Sequence, residues 1–146
     1  MSETSSVSPM LNKTIKFVLR SHLHGMVSKY LTLITFTGRK SGKTYTTPVS
    51  YYQQNNEVTI FTHADWWKNL QNGASVSLRL QGRELQGFAK AVADDKGAIA
   101  AKLTVHLKKS PFDAQFYNVT MDKRGNPLPE DVEQAVKTVT MVQVQL

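Results

Sequence analysis

Thr35-Phe36-Thr37-Gly38-Arg39-Lys40-Ser41-Gly42-Lys43-Thr44-Tyr45-Thr46-Thr47-Pro48 sets three cations, two glycines and several hydroxyls between two runs of strand-forming residues. The segment invites comparison with a phosphate-binding P-loop. That motif needs four residues between its glycines and a helix after them, so that backbone amides wrap a phosphate. Here three residues separate Gly38 from Gly42, and Tyr45 to Tyr52 is β-branched and aromatic, which is strand chemistry. The stretch therefore predicts a β-hairpin connection, and a β fold rather than a nucleotide-binding α/β fold. Gly38 and Gly42 can take positive φ without steric penalty, so the turn can close tightly and aim N–H groups at a single anion. The bland alternative is a solvated basic turn.

Working outward, the period-2 pattern continues on both sides. Thr32, Ile34 and Phe36 alternate with Leu31, Leu33, Thr35 and Thr37, a strand with apolar residues on both faces. Thr44 to Gln53 forms the second strand, Gln54-Asn55-Asn56-Glu57 a tight turn, and Val58 to Thr62 the third strand. His63 to Asn69 breaks the alternation: Asp65 is placed to cap a short helix holding Trp66, Trp67 and Leu70, closed by Asn72 and Gly73. Adjacent helical residues diverge by about 100°, so one tryptophan packs inside while the other walls a cleft or interface. Val76, Leu78 and Leu80 mark a fourth strand, and Gly82-Arg83 predicts a type II′ turn into a fifth, Glu84 to Ala93. Five strands joined by short connections form a meander, and closing it into a barrel removes its edges.

The flanks read as helical. Ser8 and Pro9 predict the start of an amphipathic helix running to His24, with Lys13, Lys16 and Arg20 on its polar side, after a disordered segment 1–8. His22 and His24 gain no third ligand, so no metal site is expected. Asp94 and Asp95 open a helix with Ile99, Leu103 and Leu107 on one stripe and Lys108 and Lys109 at its end, and His106 reads as a packing residue. An aromatic segment, Phe112 to Asn118, is expected to cap the barrel. Pro127 and Pro129 lead into a short helix, and Val142, Val144 and Leu146 alternate as a sixth strand. Residues 9–146 thus read as one domain, a size that buries a core without staples.

Composition narrows the function. The chain of 146 residues carries a formal charge of +7 and no cysteine, which excludes disulfides, thiolate metal sites and cysteine nucleophiles. It shows no signal core and no apolar run of membrane-span length, and so suggests a cytoplasmic protein. No acidic residue lies between Glu3 and Glu57 while seven lysines and arginines do, which favours an acidic partner: nucleic acid, an anionic surface, or a phosphorylated and carboxylated cofactor. The strands lack the basic–aromatic interleaving of single-strand platforms, which argues against nucleic acid. No nucleophile elbow, zinc-protease helix or dinucleotide fingerprint is present. Anion binding without side-chain catalysis suits an enzyme whose cofactor carries the chemistry. The rival readings are a non-catalytic polyanion or nucleic-acid binder and a small-ligand barrel.

The succession Leu31 to Lys43, then Thr47-Pro48-Val49-Ser50-Tyr51, Val58 to Thr62 and Trp66-Trp67-Lys68-Asn69-Leu70, resembles the deazaflavin-dependent nitroreductases, with Thr37 to Gly42 its most specific part. The resemblance spans about Leu19 to Val92. It implies a mainly β fold with flanking helices, a six-stranded antiparallel split β-barrel of the FMN-binding kind, often a homodimer. It also implies coenzyme F420, a 5-deazaflavin, as cofactor, with FMN as second choice. Arg39, Lys40, Ser41 and Gly42 would hold its phosphate and carboxylate tail, Thr47 and Pro48 would lie along it, and Trp66, Trp67 and Asn69 would stand beside the ring. His63 and Tyr51 are candidates to donate a proton near the ring, toward a small electron-poor substrate such as a quinone or nitroaromatic. The sequence departs from the family at Tyr45, where a basic residue is common, and at His63 to Asp65, where a longer loop often carries another lysine.

Overall fold

A computed structural model describes residues 31–146; the predicted helix from Pro9 to His24 and the segment 1–8 lie outside them. Six strands, β1 (Leu31–Thr37), β2 (Thr44–Gln54), β3 (Glu57–Thr62), β4 (Ala74–Leu80), β5 (Arg83–Val92) and β6 (Thr140–Gln145), form a closed barrel. Every pairing is antiparallel, in the order β1-β2-β3-β6-β5-β4 and back to β1. The last strand closes the ring by pairing with β3 (Ile60 opposite Val142) and β5 (Ala91 opposite Val142). No pairing edge is left among the six strands, the arrangement that protects a small β protein from edge-to-edge association.

Alternation along the strands builds two cores. The inward set Ile34, Phe36, Val49, Val58, Ile60, Leu78 and Val142 fills the barrel. On its outside, α1 (Lys96–Lys109) lays Ile99, Leu103 and Leu107 over Tyr52, Phe61 and Met141, joined by Val132 and Val136 at α2 (Pro129–Ala135). Strand β3 lies between the two cores, which is why Val58 to Thr62 are all buried. The Asp95 carboxylate caps α1 by accepting from the Ala98 N–H at 3.0 Å. Between α1 and α2 the aromatic segment forms a 3-10 turn, Pro111–Tyr117, against the outer core rather than over a barrel end.

One turn differs from its expected type. The β4–β5 connection is Gln81–Gly82 and both residues take positive φ, 53° and 80°, as a type I′ turn requires. Moving the turn back by one residue keeps Leu78 and Leu80 facing the core.

Candidate anion site

The basic turn joins β1 to β2, and its own backbone closes it. Gly38 N–H donates to Lys43 O and Gly42 N–H to Gly38 O, both at 2.8 Å, and the Lys43 N–H donates to Ser41 Oγ at 3.1 Å. The Arg39 N–H donates outward, to Asn69 Oδ1 at 3.0 Å. Four amides of the turn are thereby committed, so the expected cradle of converging N–H groups gives way to a rigid turn that displays side-chain cations. Gly42 takes φ 72°. A Cβ on Gly38 would come within 2.7 Å of Ser41 Oγ and 2.8 Å of the Tyr45 ring, so the close approach of these two residues requires glycine there. Ser41 Oγ and Tyr45 Oη lie 3.2 Å apart.

The facing wall is a second 3-10 turn, Trp66–Leu70. With three residues per turn, side chains at i and i+3 eclipse. Asp65 and Lys68 accordingly share the cleft side, and Gln71 Oε1, one turn on, accepts from Arg39 Nη1 at 3.0 Å. Asn69 ties the two walls together: its Oδ1 holds the Arg39 amide while its Nδ2 donates to Trp66 O at 2.9 Å. Trp66 is 2% exposed and stacks on Phe36 at 5.3 Å between ring centroids. It anchors the turn to the barrel. Trp67 is half-buried against the same core, with Lys68 Nζ 6.0 Å from its ring centroid.

Between these walls lies a cleft of about 370 Å³ lined by Gly38, Arg39, Lys40, Ser41, Tyr45, Asp65, Lys68 and Asn69. Its rim carries three cations and one carboxylate. Arg39, Lys40, Ser41 and Asn69 are thus brought together in one cleft, where the resemblance set the first three at the cofactor tail and Asn69 beside the ring, while Gly42 shapes the turn beside them. Thr47, Pro48, Trp66 and Trp67 do not line this cleft: Thr47 is buried on the inward face of β2 and Pro48 pairs opposite Leu33. Tyr51 is 6% exposed and belongs to the barrel interior; burial pushes its phenol pKa up, partly offset by a hydrogen bond with Gln81. His63 is exposed at the end of β3, its ring 5.6 Å from that of buried Tyr117. Tyr45 entered the sequence reading only as a departure from the family, and Lys68 was not among its site residues; both line the cleft. The signal for Lys68 was the period-3 spacing from Asp65, visible only once the turn is known to be 3-10.

The remaining polar cluster is structural. His106 Nε2 and Asp113 Oδ2 lie 2.8 Å apart in a fully buried hydrogen bond linking α1 to the Pro111–Tyr117 turn, with Tyr52, Phe61 and Tyr117 around the imidazole. Burial and then the Asp113 charge drive the Tyr117 phenol well above its ordinary range, against a hydrogen bond with Ser50. Among the described residues no group of three or more acidic, histidine or cysteine side chains could hold a metal.

The fold is a closed six-stranded antiparallel barrel of the split-barrel class, with a cationic cleft at the β1–β2 hairpin. The model of the F420H(2)-dependent quinone reductase family matches residues 19–128, and the chain belongs to that family. F420 is accordingly its cofactor class. Among solved structures, an F420-H2 dependent reductase, FDR-A, is 17% identical with a TM-score of 0.53, covering 80% of this chain and 95% of its own. A domain-swapped dimer is 16% identical with a TM-score of 0.51, covering 94% and 100%. A protein of unknown function from Agrobacterium tumefaciens is 13% identical with a TM-score of 0.51, covering 95% and 57%. At these identities the likeness is one of fold. Comparison with curated protein sequences returns no match.

Proposed function

We propose that the protein takes a hydride from reduced F420, or from reduced FMN as second choice, and delivers it to an electron-poor small molecule of the quinone or nitroaromatic class. The observation that carries this reading is the meeting of Arg39, Lys40 and Lys68 in one cleft, a donor set suited to a phosphate and the carboxylates that follow it. The cleft is of a size for such an anionic tail. When bound, the cofactor supplies the hydride. The chain's own residues do the rest. The three cations fix the tail and so the orientation of the reacting face, which lowers the entropy cost of transfer. Asn69 keeps the two walls in register. His63, exposed beside Tyr117, offers an imidazole for the proton that completes reduction of the substrate. Tyr51 stays protonated within the barrel and shapes its interior.

The test is titration of the purified protein with F420 and with FMN, followed by tryptophan fluorescence. Saturable binding of F420 is expected, and its loss by about tenfold or more when Arg39→Ala is combined with Lys40→Ala, since charge-assisted contacts contribute about 1.5–3 kcal/mol each. Saturable binding of neither ligand sinks the reading. A cytoplasmic homodimer completes the proposal, supported for the dimer by the domain-swapped dimer among the similar structures and tested by sedimentation equilibrium.

A further inference from the structure

The cleft between the basic turn and the Trp66–Leu70 turn contains a group at odds with a general anion site, a carboxylate. Asp65 stands exposed at the start of the 3-10 turn and lines the cavity with Arg39, Lys40 and Lys68. Its backbone is fixed, since its carbonyl accepts from the Lys68 N–H at 3.0 Å. An aspartate in this position ordinarily caps the turn, yet the Asp65 carboxylate makes no capping hydrogen bond. Nor does it neutralise its neighbours: among the described residues it enters no ion pair, although three cations share its cavity. The cations themselves are only partly engaged. Arg39 donates through Nη1 to Gln71 Oε1 at 3.0 Å, and Lys68 Nζ lies 6.0 Å from the Trp67 ring centroid. Both ordinary structural uses of an acidic residue here, cap and counter-ion, are therefore unfilled.

We propose that Asp65 is a specificity-determining residue of the cleft. It rejects compact, highly charged phosphates, and it accepts a hydrogen bond from a ligand whose anionic groups are spaced along a chain that also carries O–H or N–H donors. This rests on the reading of the cleft as the seat of an anionic cofactor tail. Three exposed cations in one cavity attract any polyphosphate. A fixed carboxylate among them repels each ligand charge that comes close, and the repulsion grows with the charge packed into a small volume. Pyrophosphate and nucleoside triphosphates concentrate their charge within a few bonds and meet the full repulsion. A phosphodiester followed at a distance by carboxylates, the arrangement of an F420 tail, brings one charge at a time beside Asp65 and offers it a hydroxyl or amide hydrogen in between. A carboxylate accepts such a donor strongly, whereas a bare phosphate oxygen gives it nothing to accept. Selectivity then comes from repelling the wrong ligand as much as from holding the right one.

Isothermal titration of the full chain and its variants with pyrophosphate, and separately with F420, tests this. Asp65→Asn removes the charge and keeps an acceptor oxygen; Asp65→Ala removes both. Each should bind pyrophosphate about fivefold tighter or more than the wild-type chain, with the gain shrinking as salt rises. Asp65→Ala should bind F420 about threefold weaker or worse, and Asp65→Asn should recover part of that loss. Glu133→Gln makes the same change of net charge at an exposed position of α2 outside the cleft. It should leave pyrophosphate affinity as it is, which separates a local effect from one of overall charge. With no cap bond to lose, the Asp65 variants should keep the wild-type urea midpoint. Unchanged pyrophosphate affinity in both Asp65 variants overturns the proposal. So does an equal gain in Glu133→Gln, or an F420 affinity that rises with that for pyrophosphate in Asp65→Ala. An absence of F420 binding to the wild-type chain sinks the cofactor reading instead, and the pyrophosphate titrations then decide the role of Asp65 by themselves.

Discussion

At the scale of single residues, the cleft depends on one amide side chain and one lysine. Asn69 satisfies the Arg39 amide and the Trp66 carbonyl together. Asn69→Ala should therefore lower stability by about 1 kcal/mol, the net worth of a hydrogen bond. It should weaken anion binding more than that, because the two walls lose their tie; urea midpoints and cofactor titration separate the effects. Asn69→Asp keeps the acceptor for Arg39 but adds negative charge to the cleft, and should bind anions at least as poorly. Lys68→Ala should reduce F420 affinity while leaving the urea midpoint within about 0.5 kcal/mol, as expected for an exposed position. Equal affinity would remove Lys68 from the site. The glycines and cations of the basic turn were legible because turn chemistry is local: Gly42 needs positive φ and Gly38 needs a bare α-carbon wherever the rest of the chain goes. Lys68 was not, because its direction depends on whether residues 66–70 wind as 3-10 or α, and that choice is made by Trp66 docking on Phe36.

At the scale of elements, period-2 alternation located every strand, and capping residues located α1. Hidden from that reading was how α1 and the turn after it are locked together. Asp113 looked like one polar residue in an aromatic loop and His106 like packing, since nothing in the spacing of 106 and 113 shows that the chain reverses at Ser110 and Pro111 to bring them within 2.8 Å. Removing one partner leaves a buried polar group without its counterpart. Asp113→Ala should destabilise the protein by about 3–5 kcal/mol, read from chemical denaturation, with protection from hydrogen exchange lost first in the turn. Replacement of both residues by apolar side chains of similar size should cost much less than the single change. If the single change is silent, the pair does not join α1 to the turn energetically.

At the scale of the whole molecule, barrel closure explains why phenols enter titration late. Tyr51 stands inside the ring of strands and Tyr117 between that ring and α1, and burial raises both pKa values, Tyr117 strongly. In the unfolded chain both phenols lose their protons near pH 10, whereas the folded protein keeps them. Above that pH the native state binds more protons than the unfolded state, so stability must fall as pH rises. The contribution is intact below pH 10 and is lost progressively through the folded-state values, with each phenol adding at most about 1.4 kcal/mol per pH unit to the slope. Thermal or urea midpoints should therefore hold between pH 7 and pH 9 as far as tyrosine is concerned, then drop beyond about pH 10. Tyr117→Phe removes one of the two groups and should flatten that decline while losing the Ser50 hydrogen bond, leaving the protein slightly less stable at neutral pH yet less sensitive to alkali. An alkaline slope that the substitution does not change would mean that Tyr117 is not enclosed between barrel and helix, and the second core would have to be redrawn without it.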